Sequence, residues 1–287
     1  MKNRVVVGVF IGIVLVGFYM LSVLVNSYFM DALIAFIIFL AVNEMRIALR
    51  LNFTRSIETI IIIYSATIVF PYIWLSFIGV VYFTLAFFVL GCAFTIFNKR
   101  SPQNCIQNFA LILIYPALAL STMLYLNDPK LSFVAGGALN NLGIAFVLVI
   151  STFTDMFAMF GGKLFGKHKL APDISPKKTV EGAIAGIFGG ILGAAVVYVG
   201  FEVIDFFGPG LTVWGVNTTN KFLAYSLIGV FGAAFTQIGD LLASYIKRRV
   251  EIKDFSKLLG DHGGVLDRFD GIMLNSVFVS LIFSFII

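Results

Sequence analysis

Four aspartates, Asp155, Asp240, Asp267 and Asp270, lie inside or at the ends of apolar stretches of this chain. A carboxylate in such surroundings is expensive and marks a functional position by default. Asp155 sits toward the end of its stretch, Asp240 closes another, and Asp267 and Asp270 come just before a third. The four therefore converge on one depth from three helices. Asp240, Ser244 and Lys247 recur at i, i+4 and i+7 and share one face of a helix that continues beyond the apolar run. Asp267 and Asp270, at i and i+3, share a face if the chain is helical there. Carboxylates facing one another across a wet cleft are hard oxygen ligands. They suit magnesium, which binds through one or two carboxylates plus the phosphates of a substrate. Zinc does not fit, because the only histidines are His168 and His262 and no His or Cys pair stands at ligand spacing. Snorkelling to the interface is the plain alternative for any one of these aspartates. Four at one depth, among many Lys and Arg, favour a site.

Cations stand opposite. The stretch Ile174-Ser175-Pro176-Lys177-Lys178-Thr179 reads as an N-cap Ser175, Pro176 at the first helical position, and the start of an apolar helix. A helix N-terminus offers N–H groups and a positive dipole end to a phosphate. Lys177, Lys178 and Thr179 add charge and a hydroxyl. A capped helix with interfacial lysines is the bland reading of the same residues. Together with the carboxylates they point to a polyphosphate site. The run Gly161–His168 nearly fits G-x4-G-K-[ST], but it ends in His168 and leaves a membrane helix, so the strand–loop–helix setting of a P-loop is missing. Gly182, Gly186, Gly189, Gly190 and Gly193 form overlapping GxxxG pairs, best explained by close helix packing.

The elements that must hold these residues follow from composition. Of 287 residues, 60% are hydrophobic and 12% charged, and the mean hydropathy is +1.00. A soluble domain carries roughly 25% charged residues. At about 20 apolar residues per bilayer crossing, the apolar content fills eight or nine spans. This excludes a soluble enzyme, a disordered chain and a disulfide scaffold, and predicts an all-α polytopic membrane protein with short loops. The spans are expected at Val5–Val25, Met30–Val42, two within Thr59–Phe97 divided near Tyr72–Ser76, Phe109–Leu126, Leu139–Phe160, Thr179–Phe201, Phe222–Ala243 and Gly271–Ile287, nine in all. The first is read as a retained helix, since it is long for a signal sequence and shows no small-residue cleavage site.

The net charge of +5 belongs to loops on one side: Lys2/Arg4, Arg46/Arg50/Arg55, Lys99/Arg100, Lys163–Lys178 and Lys247–Lys257. By the positive-inside rule these loops and the N-terminus face the cytoplasm, and the C-terminus the far side of a cell membrane. The basic residues lie between spans and form no stripe for nucleic acid. Residues 1–138 read as packing helices, about five spans. Residues 139–287, about four spans, hold the unusual polar chemistry.

Within 244–270 the sequence runs Ser244-x-x-Lys247-Arg248, Lys253-Asp254, Gly260-Asp261-His262-Gly263-Gly264-x-x-Asp267-Arg268-x-Asp270. It resembles the S-x-x-K-R-x4-K-D and H-G-G-x-x-D-R-x-D signature of the phosphatidate cytidylyltransferases, the CDP-diacylglycerol synthases. Phe165–Leu170 and Ser175–Gly182 are similar to that family's F-G-K-H-K-L and S-P-K-K-T-x-E-G motifs. The resemblance covers roughly residues 150–287. Ala243, Gly260, Ser256 and Met159 stand where many members have Glu, Pro, Gly and Tyr. None of these departures removes a metal ligand.

The resemblance implies a magnesium-dependent reaction of CTP with phosphatidate giving CDP-diacylglycerol and pyrophosphate, and a homodimer. It implies Asp240 and Asp267 as holders of the metal, with Asp270 and Asp155 as further ligands or support. Lys177, Lys178, Lys247, Arg248 and Arg268 would neutralise the phosphates, and Ser175, Thr179, Ser244 and Lys253 would contact substrate. His262 is either a proton carrier or a structural part of the Gly-Gly turn. The rival class is an ion-coupled transporter, whose carboxylates belong nearer the membrane midplane. The acidic motif of CDP-alcohol phosphotransferases is absent.

Overall fold

A computed structural model describes residues 2–49, 53–98, 104–128, 139–204, 218–260 and 263–286. Nearly all of this is helix: α1 Lys2–Leu24, α2 Tyr28–Ala48, α3 Arg55–Thr67, α4 Val69–Phe97, α5 Cys105–Ile112, α6 Ala119–Leu126, α7 Leu139–Phe165, α8 Val180–Tyr198, α9 Thr218–Arg249 and α10 Leu266–Ile286. Two short strands, β1 Lys169–Ala171 and β2 Ser175–Thr179, lie between α7 and α8. Among the described residues seven helical spans are long and apolar enough to cross a membrane, and the apolar part of α1, Gly8–Leu24, is shorter. The expected all-α membrane architecture is present, while the total of nine spans is not confirmed.

Several boundaries moved for identifiable reasons. The second span was expected to stop before Glu44, yet α2 runs through both Asp31 and Glu44, which are 7% and 5% exposed. In the long apolar stretch, α3 ends at Thr67, and the one non-helical residue inside α4 is Ser76, with φ 54° and ψ −154°. Ser76 lies in the window where the sequence divides. A positive φ at a residue with a Cβ costs about 1–3 kcal/mol, so packing must hold the break. Gly79 contributes, since a Cβ there would lie 2.5 Å from the Pro71 carbonyl oxygen. Pro116, which has no N–H to give a helix, sits in a π-helical turn, Leu113–Leu118, that joins α5 to α6.

The chain divides into two compact units, residues 1–125 with 250–268, and residues 126–249 with 269–287. In the first, α2 buries Met30, Ile34, Ile37, Ile38, Ala41 and Met45, the i, i+3, i+4 stripe of a packed helix face. Polar ties cross between its helices: Asn43 Nδ2 donates to Ser65 Oγ at 3.1 Å, and Tyr64 and Thr84 share a hydroxyl hydrogen bond of 2.8 Å. The outward face of α4, including Trp74, Ile78, Tyr82 and Val89, is exposed and apolar, as a lipid-facing helix requires.

In the second unit α7, α8 and α9 pack together. The small residues of α8 permit this. A Cβ on Gly190 would lie 2.5 Å from both the Gly229 carbonyl oxygen and the Ala233 Cβ of α9. Close backbone approach of this kind drives helix association where the solvent is itself apolar. Asn275 of α10 donates to Ser151 Oγ at 3.0 Å and to the Val147 carbonyl at 3.2 Å, and Ser151 shares a 3.2 Å bond with Thr236. These bonds fix the register of α7, α9 and α10 in an apolar interior.

Candidate active site

The second unit encloses a cavity of about 420 Å³, within the size range of small-molecule sites. Its lining comes from four elements. Helix α7 supplies Asp155, Ala158, Met159 and Gly162 at helical spacing, so they share one face. The β1–β2 hairpin supplies Leu170, Lys177, Lys178 and Thr179, helix α8 Gly182 and Ala183, and helix α9 Gln237 and Asp240. Lys178 Nζ lies 2.6 Å from Asp240 Oδ2, with side chains 23% and 35% exposed. Gln237 Nε2 donates to the Ala183 carbonyl at 3.1 Å, fixing α9 against the start of α8.

The stretch Ser175–Thr179 is not a helix start. It is strand β2, antiparallel to β1 with Lys169 opposite Thr179 and Ala171 opposite Ser175. The N-cap of α8 is Thr179, whose Oγ1 accepts from Gly182 N at 3.1 Å. Ser175-Pro176 and Thr179 both carry capping signals, and strand pairing decides between them. Pro176 is tolerated because a two-stranded ribbon has open edges. The expected open row of helix N–H groups is also partly occupied: Val180 N donates to the His168 carbonyl at 2.9 Å, and Gly182 N to Thr179. The lysines of β2, rather than the helix terminus, are therefore the main anion-attracting feature of the cavity.

Glu181, in the first turn of α8, ties the hairpin down. Its carboxylate accepts from Lys167 N at 3.1 Å and His168 N at 3.2 Å, and pairs with His168 Nδ1 at 2.6 Å. At the other end of the hairpin Arg248 Nε donates to the Ile174 carbonyl at 3.3 Å. Glu181→Ala is expected to loosen the hairpin. Losing about 1 kcal/mol of tethering raises the locally open population roughly fivefold, and tryptic cleavage at Lys167 and Lys169 should accelerate to match. Cleavage at the unmutated rate would show that the hairpin does not depend on Glu181.

The helix carrying Asp240 is unbroken over 32 residues, or about 48 Å, longer than the roughly 30 Å hydrocarbon core. Ser244 and Lys247 thus continue the Asp240 face beyond the apolar run, as their spacing indicates. Asp270 Oδ1 accepts from Gly271 N at 2.8 Å, and Asp270 lies in the electrostatic field of Asp240, Asp155 and Lys247. The second unit thus gathers Asp155, Lys177, Lys178, Thr179, Asp240, Lys247 and Asp270 into one polar region, with Ser175, Ser244 and Arg248 on the same elements.

The remaining candidates belong to the first unit or lie outside the described residues. Lys253 and Arg268 are exposed. Asp267 Oδ2 accepts from Phe255 N and Gly264 N, both at 2.9 Å, and closes the turn that precedes α10. Gly263 in that turn has φ 81°, and a Cβ there would lie 2.7 Å from Asp267 Oδ2. This is a physical requirement for its lack of a side chain. His262 falls outside the described residues. Asp240 and Asp267, the implied metal pair, fall one in each unit.

Among the described residues no group of three or more His, Cys, Asp and Glu is placed to hold a metal ion. The donor chemistry of the cavity, two carboxylates beside the three lysines Lys163, Lys177 and Lys178, fits instead an ion completed by substrate phosphates, the usual manner of magnesium. Two further carboxylates matter to these elements. Glu181 lies within the Ser175–Gly182 motif. Glu44 lies two residues past the expected Met30–Val42 span, and the cost of a carboxylate in apolar surroundings applies to it as it does to Asp155.

Comparison with known proteins adds an independent line. A family described as the cytidylyltransferase family matches residues 2–286. A protein named phosphatidate cytidylyltransferase from Aquifex aeolicus (strain VF5) is 35% identical over 178 residues, which cover 62% of this chain and 57% of that protein. Proteins of the same name from Rickettsia bellii (strain RML369-C) and Staphylococcus aureus (strain COL) are 38% identical over 146 residues and 40% over 134. Those matches cover 51% and 45% of this chain, and 59% and 44% of the relatives. The chain therefore spans about half the length of the curated relatives it matches.

Proposed function

The chain belongs to the cytidylyltransferase family, and from that membership and its cavity we propose that it is a membrane phosphatidate cytidylyltransferase. The observation that carries the reading is the cavity itself, where Asp155 and Asp240 stand with Lys177, Lys178 and Thr179 at the ends of three packed apolar helices. A nucleoside triphosphate brings several negative charges, and the lysines of β2 supply compact positive charge to meet them. The name carried by the relatives supports phosphatidate as the second substrate. Ion-coupled transport has no observation in its favour.

In this reading an oxygen of the phosphatidate monoester attacks the α-phosphorus of CTP. A new P–O–P bond forms, the bond from the α-phosphorus to the bridging oxygen breaks, and pyrophosphate leaves with that electron pair. The monoester is already ionised near neutral pH, so no strong general base is required. Catalysis then rests on positioning and on stabilising charge. Lys177 and Lys178 orient the triphosphate, and Asp240 holds Lys178 in place before substrate arrives. Asp240 and Asp155 are the carboxylates of the cavity we assign to magnesium, which would supply charge neutralisation on the phosphates. Asp267, in the first unit, is assigned to the same reaction on the strength of its motif. The basic loops and the N-terminus face the cytoplasm in this reading, where CTP is found.

The test is transfer of label in detergent micelles containing phosphatidate. Label from α-labelled CTP enters the lipid, label from γ-labelled CTP leaves as pyrophosphate, and both depend on magnesium. No lipid label with either metal condition would overturn the reading, and near wild-type turnover by Asp267→Asn would overturn the assignment of Asp267 to the reaction.

A further inference from the structure

The turn before α10 is held from outside by a residue of the opposite end of the sequence. Glu44 of α2 is 5% exposed, and its carboxylate accepts three hydrogen bonds. Oε1 takes Ser256 Oγ at 2.7 Å and Val265 N at 2.9 Å, and Oε2 takes Leu266 N at 2.8 Å. Val265 and Leu266 are the residues at which α10 begins, so the charge meets the positive end of a helix. Among the described residues no Lys or Arg lies within ion-pair distance of Glu44. The helix terminus and the hydroxyl take the place of a cation. Glycine at 264 is part of the same fit, because a Cβ there would lie 2.6 Å from the Glu44 Cδ and Oε1.

We propose that Glu44 is a positioning residue for catalysis: it sets the conformation of the 255–266 turn and thereby the placement of Asp267 and Arg268. The turn is clamped by two carboxylates. Asp267 closes it from within through Phe255 N and Gly264 N. Glu44 fixes it to α2 through the next two amides and through Ser256. Removal of Glu44 leaves Asp267 with its own hydrogen bonds but frees the turn relative to α2. The carboxylate is required rather than its amide. A glutamine keeps one acceptor oxygen for Ser256 and Val265, and sets an NH2 donor against the Leu266 N–H donor.

This inference rests on the proposed cytidylyl transfer for its kinetic arm, and on amide exchange for an arm that needs no activity. In the full-length protein, Glu44→Gln is expected to lower kcat for transfer from CTP to phosphatidate about tenfold to a hundredfold, the cost of misplacing a reacting group by roughly 1 Å. KM for CTP should change less than kcat, because the lysines of β2 are untouched. Hydrogen exchange should accelerate at Val265 and Leu266 and stay unchanged in α7–α9. Glu44→Asp, which keeps the charge, should recover part of kcat. Ser256→Ala, which removes a single donor, should lower kcat by a smaller factor and show no additional loss when combined with Glu44→Gln. It also serves as the test if Glu44 variants fail to fold.

Unchanged exchange at 265–266 together with turnover near wild-type in Glu44→Gln would overturn the proposal. Equal loss of exchange protection throughout the protein would also overturn it, showing a general structural role. If the unmutated protein transfers no cytidylyl group, the functional reading fails, and exchange alone decides whether Glu44 holds the turn.

Discussion

Asp240→Asn is expected to lower cytidylyl transfer about a hundredfold to a thousandfold, the range seen when one preorganised charge-stabilising group is removed from a polar site. The substitution keeps shape and removes charge. Lys178, whose Nζ lies 2.6 Å from the lost carboxylate, then has no anion to hold it before substrate arrives. Breaking a fully buried pair costs about 3–5 kcal/mol, but these side chains are 23% and 35% exposed. Solvent screening therefore reduces the stability loss to a fraction of that. Thermal unfolding in detergent should move by a few degrees while turnover collapses. A second variant separates two explanations. If Asp240 acts only by restraining Lys178, Asp240→Asn adds no further loss to that of Lys178→Met. If the carboxylate itself works on the phosphates, the double variant is less active than either single variant, which is the expected outcome. Near wild-type turnover in Asp240→Asn with saturating magnesium would remove the cavity from the mechanism.

The second large effect is expected at a glycine. In Gly264→Ala the new Cβ meets a carboxylate that three hydrogen bonds hold in place. Neither Glu44 nor the turn can move aside without breaking one of them. Overpacking of this kind costs about 1–3 kcal/mol, and a displacement of roughly 1 Å at the turn costs on the order of a hundredfold in rate. Glu44→Asp, which withdraws the carboxylate by one methylene, should restore part of the activity of Gly264→Ala. Gly260→Ala is the control. That residue also has a left-handed backbone, φ 62°, but nothing lies within 4 Å of where its Cβ would be. Its cost is confined to about 1–2 kcal/mol of backbone strain, with turnover unchanged. Equal, near wild-type behaviour of both alanine variants would mean that the Glu44 contact does not form in the working protein.

Much of the site was legible because helical spacing and the cost of charge in apolar surroundings are local properties. Asp155 and Asp240 stood out as carboxylates that an apolar helix tolerates only for a purpose, and both line the cavity. The Asp240, Ser244, Lys247 series needed only an unbroken helix, and α9 is one. The break near Tyr72–Ser76 followed from length, since nearly 40 apolar residues exceed one crossing. Other parts were misread where two local signals competed. Ser175-Pro176 and Thr179 both resemble the start of a helix. Only the pairing of residues 175–179 with residues 169–171 makes the first a strand and leaves the cap to Thr179.

Composition and periodicity thus determined, without any structure, that the chain is a set of apolar helices with a few costly polar residues near their ends. The two motif-bearing stretches are equally a property of the sequence. The tertiary structure alone decided which partners those polar groups take. It gave Lys178 to Asp240 across 62 residues, and Glu44 to Ser256 and Leu266 across 212 and 222. The reason is physical. Spacing along a helix encodes which residues share a face, whereas a buried carboxylate takes whichever donors packing brings within hydrogen-bond reach, however far away they lie in the chain.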